Sequence, residues 1–171
     1  HNEILAHHPE YLDTLYTGYH YRHSEPRTDG EPALTHHKVP IFGETDAGCA
    51  CFYVAEPIDR AVRIGGVELS LLERNALACF RELAERPEMY LEHEFQPGDI
   101  QFLNNRTILH SRTSYADHYE LDKKRHLLRL WLMIPGWPHL PSNMKMINAT
   151  DRFGGGMAKG GAITNEPDGL R

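Results

Sequence analysis

The sequence predicts a β-rich α+β domain, and three observations carry that expectation. Several short runs alternate apolar and polar residues between turn signals such as Pro97-Gly98-Asp99; one stretch shows a helical stripe behind a capping signal; and the composition is that of a folded chain. Of 171 residues, 40% are hydrophobic and 25% charged, enough to bury one core and too apolar for a disordered chain. No apolar run approaches the roughly 18 residues of a membrane-spanning helix. With 18 Lys+Arg against 24 Asp+Glu, the net charge is -6. The bulk charge therefore gives no reason to expect nucleic acid or an anionic membrane surface as a partner.

Taken in order, residues 1–16 keep helical spacing through Ile4, Leu5, Tyr11, Leu12, Leu15 and Tyr16, interrupted at Pro9. This predicts a short helix and a second one opening at Pro9, where the missing amide hydrogen would have been unpaired anyway. Residues 19–23 alternate weakly and are expected as a strand, and the polar SEPRTDGEP over 24–32 as a loop. Residues 37–42 and 49–54 predict two strands joined by a loop over 43–48. Ser70-Leu71-Leu72-Glu73 fits a capping box, and Leu72, Ala76, Phe80 and Leu83 follow at helical spacing until Arg86-Pro87 stops the run. The period then falls to two, with strands expected over 90–95, 100–103, 107–111 and 125–134. From residue 135 to 171 the composition shifts to Gly, Pro, Asn and Met, predicting an irregular extension. Its glycines, 154–156 and 160–161, lack the G-K-[ST] ending of a phosphate loop and read as a tail.

Cys49, Cys51 and Cys79 are odd in number and lack a CxxC spacing, so neither a disulfide framework nor a zinc knuckle is expected. A reducing compartment, the cytoplasm, is the expectation. Cys49 and Cys51 share one face of their strand, which suits small buried residues. Twelve histidines raise the prior for metal chemistry without identifying a site. The chain opens at His1 within what reads as a helix, so His1 is not expected to be the natural start. The lack of a signal peptide carries no weight for that reason, and part of any site is expected upstream.

Two segments carry residues suited to chemistry. His110 lies at the end of a short strand leaving the Asn104-Asn105-Arg106 turn. A strand histidine of a β-barrel can offer a ring nitrogen to a metal, or it can be a hydrogen-bonded rim residue. In the run 125–132, Arg125, Leu127, Arg129 and Trp131 share one face, and His126, Leu128, Leu130 and Leu132 the other. Two arginines on one face need solvent, as on an edge strand, or an anion such as a carboxylate or sulfonate. Ser111 and Ser114 sit near His110, but no G-x-S-x-G elbow supports a hydrolase. Trp131 and Trp137 are expected to pack in the core and against the tail.

Together, PGDIQFLNNRTILHSRTSY and the following RHLLRLWL resemble the C-terminal half of the taurine dioxygenase/TfdA-like family of Fe(II)- and 2-oxoglutarate-dependent oxygenases. That family carries a D-N-R-x-x-x-H run followed by an R-x-x-x-R strand. Asn105, Arg106 and His110 match the first, with Asn104 in place of the acidic residue, and Arg125 and Arg129 match the second. The resemblance is densest over 68–134 and extends through HNEILAHHPEYLDTLY and the VPIF…CACFYV hairpin. It implies a partial double-stranded β-helix (jelly roll) with flanking helices over 1–134, the C-terminal part of such an oxygenase domain, followed by the extension 135–171. It also implies Fe(II) held by two histidines and a carboxylate, with 2-oxoglutarate as cosubstrate. On that basis His110 would be the distal histidine ligand and Arg125 the partner of the distal carboxylate of 2-oxoglutarate. Arg129, deeper on the same face, competes for that role or lies near the substrate. The implied reaction hydroxylates a small organic substrate while 2-oxoglutarate is decarboxylated to succinate.

The family's remaining ligands come from an H-x-D/E motif placed before the region that resembles residue 1 onward. This chain has no H-x-D; His1-Asn2-Glu3 has the H-x-E form but falls in the helix after the motif, and His7-His8 and His36-His37 read as surface or loop residues. A family Thr or Ser that helps bind 2-oxoglutarate would also lie upstream. The expectation is one metal donor of three, in an inactive fragment of a longer enzyme. Two other readings stand beside it: a non-catalytic β-helix binding or structural domain whose metal site has decayed, and a cupin-like barrel, which needs an H-x-H cluster absent here. The expected partner is a small-molecule substrate, with no nucleic acid and no membrane; a homo-oligomer is left open.

Overall fold

The computed structural model describes residues 1–22, 33–130, 132, 134, 136 and 140–144. The expected loop over 24–32, Trp131, Trp137 and the glycine-rich tail lie outside the described residues. In chain order the elements are α1 (Asn2–His7), a 3-10 turn (Pro9–Tyr11), α2 (Leu12–Thr17), β1 (Phe42–Thr45), β2 (Gly48–Cys51), α3 (Ala55–Gly65) and α4 (Leu71–Ala84). Three further 3-10 turns follow, at Pro87–Met89, Leu121–Lys123 and Ser142–Met144.

The opening helices form as their spacing predicts. Pro9 starts a 3-10 turn that runs directly into α2, and Ile4 and Leu15 are buried beneath. Gly18 ends α2 at φ 86° and ψ -162°, a region open only to glycine. The residue has a second reason to lack a side chain, since a Cβ would stand 2.0 Å from the Val39 carbonyl oxygen. That close approach lets Tyr19 and Val39 exchange backbone hydrogen bonds at 3.1 and 2.8 Å. The strand expected over 19–23 is thus reduced to two isolated bridges, Tyr19 with Val39 and Arg22 with Leu34.

The predicted hairpin is present with its strands shifted toward each other. β1 and β2 pair antiparallel from Phe42 with Cys51 to Thr45 with Gly48, leaving only Asp46-Ala47 as the turn. The Thr45 hydroxyl helps, donating to the Gly48 carbonyl and accepting from the Ala47 amide. One expectation is overturned here. Cys49 is exposed, and the buried position of β2 is Ala50. Met144 explains the parity: its sulfur packs so tightly on Gly43, the partner of Ala50, that a Cβ there would meet it at 2.1 Å. Cys51 is half-buried, and burial pushes its thiol up to about 12.

Helix α3 has no counterpart in the sequence-based expectations. Its signals are short-range: Pro57 in the first turn, a Glu56–Arg60 ion pair one turn apart, and Gly66 in the left-handed conformation at its end. α4 forms with the complete capping box, Ser70 Oγ accepting from the Glu73 amide and Glu73 Oε2 accepting from the Ser70 amide. Its inner stripe is Ala76, Leu77, Phe80 and Leu83, whereas Leu72 faces solvent.

These elements close over one apolar core that includes Leu15, Tyr19, Tyr21, Ile41, Phe42, Ile58, Phe80 and Met144. The Leu, Ile, Phe and Met side chains among them each contribute about 1.5–3 kcal/mol by leaving water. Phe80 is central, meeting the Phe42 and Tyr53 rings edge-on at 5.7 and 4.9 Å. Polar ties hold α4 to its neighbours: Lys38 Nζ reaches Glu73 Oε1 at 2.5 Å, and Arg81 binds both Asp59 and the Tyr53 hydroxyl at 2.6 Å.

After α4 the structure departs from the β-rich expectation. Among the described residues the one sheet is the two-stranded β1–β2 pair, and the runs 90–95, 100–103, 107–111 and the described part of 125–134 form no ladder. An extended run becomes a strand only when a neighbour takes up its amides and carbonyls, and no described segment does so here. The apolar side chains remain as the sequence spaced them, and Leu91, Ile100, Phe102, Leu128 and Leu130 are largely exposed. No helix among the described residues is long and apolar enough to cross a membrane.

Two stability measurements follow. Gly18→Ala is expected to cost at least about 3 kcal/mol in urea unfolding, because strain and a backbone clash add. Burial alone would raise the Glu73 carboxyl, but Lys38 and the Ser70 hydrogen bonds outweigh it and hold the group below its ordinary value of 4.5. A carboxylate depressed on folding stabilises above the ordinary value and loses that contribution as pH falls through the folded value. Glu73→Gln should therefore lower stability at neutral pH and flatten its decline below about pH 4.5, and Ser70→Ala should cost about 1 kcal/mol.

Candidate functional site

The segment bearing the candidate residues begins at a compact turn. The Asn104 carbonyl accepts from the amides of Thr107 and Ile108 at 3.1 and 3.0 Å, and its side-chain Oδ1 accepts from the Arg106 amide at 3.1 Å. An asparagine that closes a turn on its own backbone is a preferred choice at this position. Only an acceptor oxygen is needed, which an aspartate would supply equally. The turn is fastened to the hairpin by the Cys51 amide, which donates to the Arg106 carbonyl at 2.6 Å. Arg106 itself is half-buried, and burial draws its guanidinium below its ordinary value. Between the hairpin and this turn lies an open cavity of about 370 Å³, bordered by Thr45, Cys49, Asn104, Arg106, Thr107 and Leu140.

His110 follows the turn and is exposed, as are Arg125 and Arg129. Among the described residues no hydrogen bond, ion pair or ring contact joins His110 to either arginine, and none of the three borders the cavity. The structure instead brings one of them, Arg125, together with two residues that the sequence does not single out, Arg112 and Tyr115. Arg112 and Arg125 both lie over the ring of Tyr115, with guanidinium carbons 4.8 and 5.3 Å from its centroid. Asp117 Oδ1 accepts from the amides of His118 and Arg125 at 3.1 and 3.0 Å, which closes the loop between them and returns the chain toward Tyr115. The available sequence signal was parity: Arg112 is two residues beyond His110 and shares its side of an extended run.

Several other described histidines have surface or structural partners. His1 Nε2 lies 3.2 Å from the Tyr16 hydroxyl, while Glu3 faces His7, so the H-x-E pair at the start does not converge. His8 faces Glu10, and His37 donates to the Asn143 carbonyl. Among the described residues no group of three or more His, Cys, Asp or Glu side chains comes together to hold a metal. A single imidazole donor binds iron too weakly to retain it, so these residues do not by themselves fit a resident iron.

Comparison with known proteins supplies the family. The sequence matches "Taurine catabolism dioxygenase TauD, TfdA family" over residues 1–131. It is 32% identical to the FR-33289 synthase of Streptomyces rubellomurinus over 158 residues, 90% of this chain and 44% of that protein. It is 34% identical to the taurine hydroxylase-like protein SAT17 of Stachybotrys chartarum over 111 residues, 57% of this chain and 28% of that protein. The chain thus spans less than half the length of the curated relatives it matches. The family implies a jelly-roll fold and dioxygenase-type chemistry, and the Asn105-Arg106…His110 and Arg125…Arg129 motifs lie inside the matched region. The chain belongs to the TauD/TfdA dioxygenase family.

Proposed function

We propose that this chain is the C-terminal part of an Fe(II)/2-oxoglutarate-dependent dioxygenase that hydroxylates a small organic substrate in the cytoplasm. In this reading His110 is one iron donor and Arg125 anchors the distal carboxylate of 2-oxoglutarate, with Arg129 as the competing anchor. The observation that carries the reading is the spacing of one imidazole and two guanidinium groups, in family register, on a segment tied to the core at Arg106.

The chemistry of the donors agrees with it. A neutral imidazole suits Fe(II), and the planar fork of an arginine suits a carboxylate. Iron would supply the oxygen chemistry; the protein's share is to orient the acid and exclude competing reactions. His110 has no hydrogen-bonding partner among the described residues, which leaves its ring nitrogens open to a ligand. The apolar side chains of 90–95, 100–103 and 125–132 supply the faces that jelly-roll strands bury, and in this reading they pack against strands contributed by the rest of the enzyme. Those strands, and the remaining two iron donors, belong to the longer polypeptide that we propose. The free cysteines suit the reducing compartment.

Succinate release from 2-oxoglutarate under added Fe(II) tests the assignment. The longer polypeptide should lose that release by roughly 100-fold or more with His110→Ala, and by about tenfold or more with Arg125→Ala. This chain alone should release none. Undiminished turnover by His110→Ala would remove the donor assignment, and turnover by this chain alone would remove the fragment reading.

A further inference from the structure

We propose that Arg112 and Arg125, seated together on Tyr115, form a clamp for an oxyanion, a carboxylate or sulfonate group, with Arg112 as a binding residue additional to the family motifs. The inference rests on the reading of Arg125 as a carboxylate anchor and adds a second cation to it.

Three observations support the clamp. The first is geometric. Both guanidinium carbons lie within the ~6 Å range of cation–π attraction from one ring centroid, at 4.8 and 5.3 Å. The two positive charges are therefore no more than about 10 Å apart, where they repel each other in the absence of a counter-charge. The aromatic face offsets part of that repulsion, and an anion between the two would offset the rest.

The second observation concerns the missing counter-charge. Neither guanidinium forms an ion pair among the described residues. The loop carries three carboxylates, and none of them pairs with either guanidinium among the described residues: Asp117 accepts two backbone amides, Glu120 faces Lys123, and Asp122 forms no ion pair. The side-chain hydrogen bond of Arg112 is to the Thr113 carbonyl, at 3.2 Å, leaving most of its donor fork open. The third is placement. Arg112 stands two residues beyond His110, the spacing of one side of a strand, so the clamp adjoins the proposed donor in sequence. The Asp117 link to the Arg125 amide keeps the two arms of the clamp in one loop. The two guanidinium forks suit a group with two or more anionic oxygens.

All three side chains are exposed, so substitutions there leave the core intact and the intact 171-residue chain can be used. The arginine Nε–H resonances would be followed by nuclear magnetic resonance at constant ionic strength during titration with 2-oxoglutarate and, separately, with methanesulfonate. At least one anion should move the Arg112 and Arg125 signals with a common midpoint. A response to 2-oxoglutarate alone assigns the clamp to the cosubstrate; a response to methanesulfonate alone assigns it to an anionic primary substrate; a response to both makes it a general oxyanion site. R112Q and R125Q should each weaken that binding about tenfold. Y115F should bind as the parent chain does, because the aromatic face remains, and Y115L should bind several-fold more weakly. The clamp is overturned if neither anion moves the Arg112 signal, or if R112Q binds as tightly as the parent. Loss with R125Q but not R112Q would remove the clamp and leave the Arg125 anchor standing. Parent-like binding by R125Q would remove both.

Discussion

The hydrogen bond from the Cys51 amide to the Arg106 carbonyl joins two parts of the chain that are otherwise built very differently. On one side lie the helices and the hairpin, closed over a core in which Phe42, Phe80 and Met144 are buried. On the other lies an exposed segment with little regular structure among its described residues. The bond is short, 2.6 Å, and it stands beside a turn whose donors are already satisfied by Asn104. A segment held at one such point keeps its register relative to the core while its remaining length stays exposed. The position of His110, a few residues on, is inherited from that attachment.

The same argument explains why the helical half and the extended half of the chain differ so much. Helices satisfy their own backbone, and α4 needs from outside only a cap and an apolar partner, which Ser70, Glu73 and the core provide. Jelly-roll strands cannot satisfy themselves. Each needs neighbours on both edges and a facing layer, and both come from distant parts of the sequence. Leu91, Ile100, Phe102 and Leu128 carry the spacing of strand residues without the pairing. The chain spans less than half the length of the curated relatives it matches, and in the reading proposed above the neighbours of these runs come from the longer polypeptide.

How much was legible followed the range of the interactions involved. The α4 capping box, the Pro9 start and the existence of the hairpin are set by residues within a few positions of one another, and all three are found. The inward parity of β2 is not set locally: Met144, almost a hundred residues away, packs on Gly43, the partner of Ala50, so Ala50 rather than the cysteines is the buried position. Helix α3 is the exception to that rule: its signals are local, a buried face of Pro57, Ile58 and Ala61 set among charged residues and closed by Gly66, yet it has no counterpart in the sequence-based expectations. At the site, the family motifs were visible as letters in fixed spacing, and the family match covers them. The shared ring of Arg112 and Arg125 was not visible, because it depends on a loop closed by Asp117.

The attachment at Arg106 is therefore the place to test the account. Native-state hydrogen exchange of the Cys51 amide, compared with the Phe52 amide bonded to Ile41 in the core, measures it directly. The account predicts that the two amides exchange with similar protection, and that both are far slower than amides of the exposed run 112–116. Exchange of the Cys51 amide at the rate of that exposed run would contradict it, and the segment carrying His110 would then have no fixed position against the core.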